Sequence, residues 1–223
     1  MTKDSFVHRL SKLDSSAISD ALDSLGMNGV VTRLQAVSVL KKICGRVVTM
    51  KLVPQGNNPR PSNRHLGTAA VEAASEGDII VVEHGRTDVA GWGGNLSIAA
   101  QQRGVNGVLI DGACRDADEM RSIGFPVYAR NVVPTTARGR IVEESFNQPI
   151  RIDQVDVAPG DLVLADGSGI VFIPADQAEK VLQAAEKITE KEALMAKAII
   201  AGEPVSKVMG KSYETMLQGN INS

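Results

Sequence analysis

Between residues 64 and 130 the chain alternates helix-like and strand-like segments, and this alternation restricts the fold more than any other feature. "RHLGTAAVEAASEG" (64–77) reads as an alanine-rich helix that stops at Gly77, and "GDIIVVEHG" (77–85) as a strand. "NLSIAAQQRG" (95–104) reads as a helix capped by Asn95, whose side chain can accept from the free amides of a first turn. In "GVLIDGACRD" (107–116), Val108, Leu109 and Ile110 form an unbroken apolar run after a glycine, the mark of a strand covered on both faces. From Asp116, "DADEMRSIG" has acids in its first turn and a glycine at its end, so a short helix follows; "FPVYAR" (125–130) is another strand. Strands alternating with helices build a parallel sheet with covering helices.

The flanking segments add to this unit. "SSAISDALDSLG" (15–26) spaces Ile18, Ala21, Leu22 and Leu25 as one helical face, and "CGRVVTMKLVP" (44–54) alternates as a strand ending at proline. After residue 130, "GRIVEES" and "QPIRIDQVDVAPGDLVLADGSGIVFIP" are strand after strand with short Gly/Pro turns, which makes the sheet antiparallel or mixed there. From Ala175 to Gly202 a long helix carries Val181, Ala184, Ile188, Leu194 and Ile199 near helical spacing. It outruns what one small sheet can cover, so its far end is expected against another subunit or in solvent. No linker divides the chain, so residues 1–223 are read as a single α/β domain with a helical C-terminal extension from about 175.

Composition removes several function classes. A net charge of -2 provides no basic field and 3% aromatic residues few stacking platforms, so nucleic acid is not an expected partner. No apolar run approaches the roughly 20 residues that span a bilayer, so no membrane is expected either. The N-terminus "MTKDSFVHRLSKLDSS" lacks an apolar signal core, and Cys44 and Cys114 are isolated, without metal-binding spacing. A cytoplasmic protein with reduced thiols is the expectation.

In a parallel sheet the loops leaving the C-terminal strand ends lie together on the edge where ligands bind. Two such loops are "HGRTDVAGWGGN" (84–95) and "DGACRD" (111–116), and both run into helix N-termini, whose free N–H groups favour an anion. Gly93 and Gly94 let a small ligand approach those amides, Arg115 offers a planar fork for a carboxylate, and Asp116 a hard oxygen donor. A site for a small carboxylate beside a divalent metal is one reading. The other is plain structure: a Gly-Gly turn, a capping Asn95, a surface Arg115–Asp116 pair, and an Asp111 that bonds its following turn. His65 and His84 are too scattered for a zinc site, His8 lies on a terminal helix, and no Ser–His–Asp order stands out. Trp92 is either a packing residue or a substrate wall.

The segment "GWGGNLSIAAQQRGVNGVLIDGACRDADEMRSIGFPVYAR" resembles the signature of the family containing the regulator of ribonuclease activity A and the 4-hydroxy-4-methyl-2-oxoglutarate aldolases. "SSAISDALDSLG" and "VAPGDLVLADGSGIVFIP" resemble its opening helix and late strands, so the likeness spans nearly the whole chain. Some members carry a demethylmenaquinone methyltransferase label, but no glycine-rich methyl-donor loop is present here. The resemblance implies a layered α-β-β-α fold with a β-sandwich-like core and mixed sheets, assembled as a trimer or a dimer of trimers. It implies a divalent cation, Mg²⁺ or Mn²⁺, held by Asp116, with Arg115 on the substrate's carboxylate or enolate. The amides of Gly93, Gly94, Asn95 and Leu96 would hold the carboxylate of a small 2-oxo acid, and Glu192 of a neighbouring subunit would approach the metal's waters.

One position departs from the aldolase pattern. Members place an acid twenty-one residues before the arginine, and Gly94 stands there in this chain. Since that acid helps move the proton of the substrate's hydroxyl, the departure favours oxaloacetate decarboxylation over retro-aldol cleavage, with Asp88 as a substitute base. Both reactions pass through a pyruvate enolate, so the expected activity is that of a metal-dependent carbon–carbon lyase. The alternative is a non-catalytic protein that regulates a ribonuclease by direct contact.

Overall fold

The computed structural model describes residues 4–56 and 64–210. Helices α1 (Ser5–Leu10) and α2 (Ser15–Ser24) lead into short strands β1 (Val30–Val31) and β2 (Gln35–Ala36) and the long β3 (Ile43–Pro54). The alternating unit follows as α3 (Thr68–Ala73), β4 (Ile79–Glu83), α4 (Gly94–Gln102), β5 (Gly107–Cys114), α5 (Ala117–Ser122) and β6 (Val127–Val132). Strands β7 (Ile141–Phe146), β8 (Ile150–Ile152), β9 (Val155–Val157), β10 (Leu162–Ala165) and β11 (Ile170–Ile173) come next. A single 3₁₀ turn then leads into α6 (Ala178–Ile200) and α7 (Val205–Val208).

The sheet runs β1-β11-β10-β3-β4-β5-β6-β2, with β7 also on β3 and β8–β9 forming a separate hairpin. β3 to β6 pair in parallel, as the helix–strand alternation requires. β3 is the junction: Ile43–Arg46 pair antiparallel with β10, and Met50–Pro54 pair antiparallel with β7.

Side-chain alternation along the strands sorts the interior into layers. Ile80 and Val82 of β4 point towards α3, α4 and α5, while Ile79 and Val81 point to the opposite face. Leu162 and Leu164 of β10 meet α1, α2 and α6, while Val163 and Ala165 point the other way. The inward-facing sets meet as one core with Val47, Leu109, Tyr128 and Phe172. The result is a layered α-β-β-α arrangement with a sandwich-like centre, as the resemblance implies. β4, β5, β10 and β11 are buried along nearly their whole length because different layers cover their two faces.

Several boundaries differ from expectation. The helix expected over 64–77 is confined to Thr68–Ala73, entered through Gly67 in the left-handed conformation at φ 82°. The start of α2 is capped by Asp14, whose carboxylate accepts from the Ala17 N–H. Along α6 the buried residues end at Ile188, and Leu194, Ile199 and Ile200 beyond it are exposed. Among the described residues no helix is long and apolar enough to cross a membrane.

Candidate functional site

The loop after β4 and the end of β5 are joined backbone to backbone. Gly91 N–H donates to the Ala113 carbonyl, Ala113 N–H to that of Arg86, and Arg115 N–H to that of Trp92. This pairing carries the sheet's parallel register past its edge and brings Gly93 and Gly94 beside Arg115 and Asp116. Trp92 is buried in the core beneath these loops and also borders the cavity. Its indole N–H donates to the Ser97 hydroxyl (2.9 Å), which donates to the Gly93 carbonyl (3.0 Å), so the glycine turn is tied to the first turn of α4.

The cavity here has a volume of about 90 Å³ and is bordered by Trp92 to Leu96, Arg115 and Asp116, and by His65 and Thr136. A buried water needs roughly 10–15 Å³ on this measure, so the space is several waters in size. All the residues expected to bind substrate or metal within one chain are therefore brought together.

The expected cap is absent. Gly93 is the residue before α4 and Asn95 makes no capping bond; Asp116 Oδ2 accepts from the Gly94 N–H instead (3.0 Å). The same oxygen lies 3.2 Å from Arg115 Nε. The Asn95 and Leu96 N–H groups and the terminal nitrogens of Arg115 have no acceptor among the described residues, and all three residues border the cavity. Gly93 must be small for a concrete reason: a β-carbon there would stand 2.7 Å from Asp116 Oδ2. Asp116 itself adopts φ 61°, ψ 38°, a left-handed conformation that Asp and Asn tolerate better than other side chains.

Two of the expected groups lie elsewhere in the chain. Asp88 is held by both Arg86 Nε (2.9 Å) and Nη2 (2.6 Å) on the exterior and does not border the cavity. Glu192 is on the exposed part of α6, also outside the cavity of its own chain. Partial desolvation of its carboxyl raises its pKa from the ordinary value, and the charges of Asp20 and Asp14 add to that effect. Asp111 does not bond its following turn. It is buried, pairs with Arg130 of the neighbouring strand, and accepts from the Asp153 N–H (3.1 Å).

Cysteine chemistry is disfavoured by the surroundings. Cys114 is buried one residue before Arg115, and burial pushes its thiol up to about 12, so no thiolate forms near neutral pH. His84 lies behind the loop: its Nε2–H donates to the Val89 carbonyl (2.7 Å), and its buried Nδ1 has no partner among the described residues. Burial lowers its pKa below the usual histidine value, which suits a neutral ring that positions the loop.

A residue that the sequence reading passed over lies against Gly94 without itself bordering the cavity. A β-carbon on Gly94 would lie 2.5 Å from Glu119 Cδ and would overlap its carboxylate, so the Glu119 carboxylate occupies the space next to Gly94. Glu119 lies in the first turn of α5, where the sequence alone gives an acid no distinguishing mark.

Among the described residues no three His, Cys, Asp or Glu side chains form a self-sufficient metal cage. Asp116 nevertheless fits a hard cation of the magnesium type, which takes one or two carboxylates and fills its other positions with water and substrate oxygens. Its Oδ1 has no hydrogen-bond partner among the described residues.

A small cavity bordered by Gly93 to Leu96, Arg115 and Asp116 thus lies at the carboxyl edge of the parallel strands of a mixed α/β protein. The chain belongs to the RraA-like (aldolase/RraA) family, whose family model matches residues 15–172. It is 28% identical over 183 residues to a putative 4-hydroxy-4-methyl-2-oxoglutarate aldolase of Halalkalibacterium halodurans, covering 82% of both chains. It is 26% identical over 207 residues to the protein DlpA of Legionella pneumophila, covering 92% of this chain but only 33% of that relative. The chain thus spans about one third of DlpA. Among solved structures, an uncharacterized protein from Pseudomonas syringae superposes with a TM-score of 0.82 at 26% identity, covering 92% of this chain and 97% of that one.

Proposed function

We propose that the protein is a divalent-metal-dependent carbon–carbon lyase that acts on a small 2-oxo acid through a pyruvate enolate. One observation carries this: Asn95, Leu96, Arg115 and Asp116 border the same small cavity, and the Asn95 and Leu96 amides and the terminal nitrogens of Arg115 have no acceptor among the described residues. The amides and Arg115 bind the substrate's carboxylate and fix its orientation. Arg115 also lies where negative charge develops as the bond breaks, and a fixed cation there stabilises that charge. Asp116 would hold Mg²⁺ or Mn²⁺, which when bound supplies the electron-withdrawing charge beside the 2-oxo group. The Asp116 carboxylate keeps the α4 end in place through the Gly94 N–H, so the two loops cannot separate without loss of that bond. Glu192 joins this site from a neighbouring copy, in a trimer or a dimer of trimers.

The test uses purified protein with oxaloacetate and with 4-hydroxy-2-oxo diacids, with and without Mg²⁺ or Mn²⁺, and follows pyruvate. Metal-stimulated release from either substrate supports the lyase. No release with any divalent metal overturns it and favours the alternative, a binding protein that regulates a ribonuclease by contact.

A further inference from the structure

We propose that Glu119 is the general base for retro-aldol cleavage at this site, an inference that rests on the lyase reading above and assigns a role to a residue outside its binding set. Three observations place it. The Glu119 carboxylate fills the volume beside Gly94 that any side chain at that position would need. Gly94 borders the cavity, one residue before the free amides of Asn95 and Leu96. The carboxylate makes no hydrogen bond or ion pair among the described residues, and Glu119 is exposed, so nothing holds it away from a ligand. Its neighbours on α5 differ: Asp118 is engaged by Arg121 at 2.6 Å. Asp88, the other acid of the loop, is held by Arg86.

A 2-oxo acid with a hydroxyl on C4 cannot be cleaved until that hydroxyl loses its proton, and a hydroxyl is far too weak an acid to do so unaided at neutral pH. Glu119 takes that proton as the C3–C4 bond breaks. The oxygen becomes the carbonyl of the departing product, and the electron pair of the broken bond passes to C3 as the enolate of pyruvate. Protonated Glu119 then returns the proton to C3 and is regenerated. Atoms and charge balance without an external oxidant or reductant. Oxaloacetate begins as a carboxylate at neutral pH, so its decarboxylation has no hydroxyl proton to remove. Gly94 is then no defect in the site: its missing side chain is the space in which the Glu119 carboxylate works.

The experiment compares pyruvate release from a 4-hydroxy-2-oxo diacid and from oxaloacetate by the full chain with Mg²⁺, for the parent, Glu119→Gln and Glu119→Ala. A positioned base contributes roughly 10²–10⁴ in rate, so kcat for the hydroxy acid should fall by that factor, with KM changed by no more than about threefold. Decarboxylation should fall far less, so the ratio of the two activities should drop by at least about 10². Gly94→Ala, which pushes the carboxylate aside without removing it, should lower the same ratio. Gly94→Asp in the Glu119→Ala background should restore part of it by placing a carboxylate in the same volume. Thermal unfolding checks that each variant folds. Equal loss of both activities, or loss of neither, overturns the assignment. A parent that decarboxylates oxaloacetate but leaves the hydroxy acid intact overturns Glu119 alone; a parent inactive on both removes the lyase reading as well.

Discussion

Replacing Asp116 separates its backbone role from its chemistry. The residue sits in the left-handed region at φ 61°, ψ 38°, so alanine there incurs about 1–2 kcal/mol of steric strain. Alanine also removes the acceptor of the Gly94 N–H, worth about 1 kcal/mol. The Arg115 contact adds little, because both side chains are about two-fifths exposed and such pairs contribute about 0–1 kcal/mol. Asp116→Ala should therefore lose about 2–3 kcal/mol, a fall in Tm of roughly 4–12 °C for a chain of this size. Asp116→Asn tolerates the same backbone conformation and keeps an oxygen for the Gly94 N–H, so it should lose under about 1 kcal/mol. Both variants lack the carboxylate and should lose metal-stimulated pyruvate release. Circular dichroism melts, calorimetric Mn²⁺ titration and the pyruvate assay test the three points together. An Asn variant with parental Mn²⁺ affinity and rate would show that Asp116 is not the ligand. Identical melts for Ala and Asn would refute the conformational part.

Arg115→Lys should lower kcat/KM on oxaloacetate by about 10²–10³, since a point charge cannot reproduce the planar fork; a parental rate in steady-state kinetics would remove Arg115 from the mechanism. His84 gives a pH dependence. Its folded pKa lies below the ordinary value of about 6.5, so the unfolded chain binds the extra proton, and its contribution is present above pH 6.5 and lost as pH falls through the folded pKa. Denaturant titrations between pH 7.5 and 5.5 should show His84→Gln losing less stability than the parent, by at most about 1.4 kcal/mol per pH unit; equal slopes would show that His84 does not titrate on unfolding. Light scattering should report a trimer or a hexamer, and Glu192→Gln should lower turnover without changing that mass. A fully active monomer would refute both the assembly and the part given to Glu192.

What could be read from the sequence depended on how local the cause was. β4 and β5 announce themselves because both faces are covered, giving unbroken apolar runs, and α4 follows a glycine turn that must approach another loop. The Arg115–Asp116 pair was placed correctly at the strand-to-helix junction because Cys114 ends β5 and Ala117 starts α5. The capping of α4 was not legible, since its acceptor comes from Asp116, twenty-two residues further on. The Asp111–Arg130 pair needed the β5–β6 register, which shifts after Ile110. Glu119 was missed for a different reason. An acid in the first turn of a short helix is an ordinary dipole partner, and only the empty volume at Gly94 sets this one apart.

The position of β3 also sets the order in which a ribosome can deliver a stable product. Its first four residues, Ile43–Arg46, emerge early but find their partner strand only when Leu162–Ala165 have been made. At 5–20 residues per second this interval is on the order of ten seconds, during which the edge of β3 and the side chains of Ile43 and Val47 remain without Val163 and Phe172. The nascent chain carries an open, apolar strand edge throughout that interval, the kind of surface that holding chaperones cover. Chains cut short between β7 and β10 keep that edge unpaired.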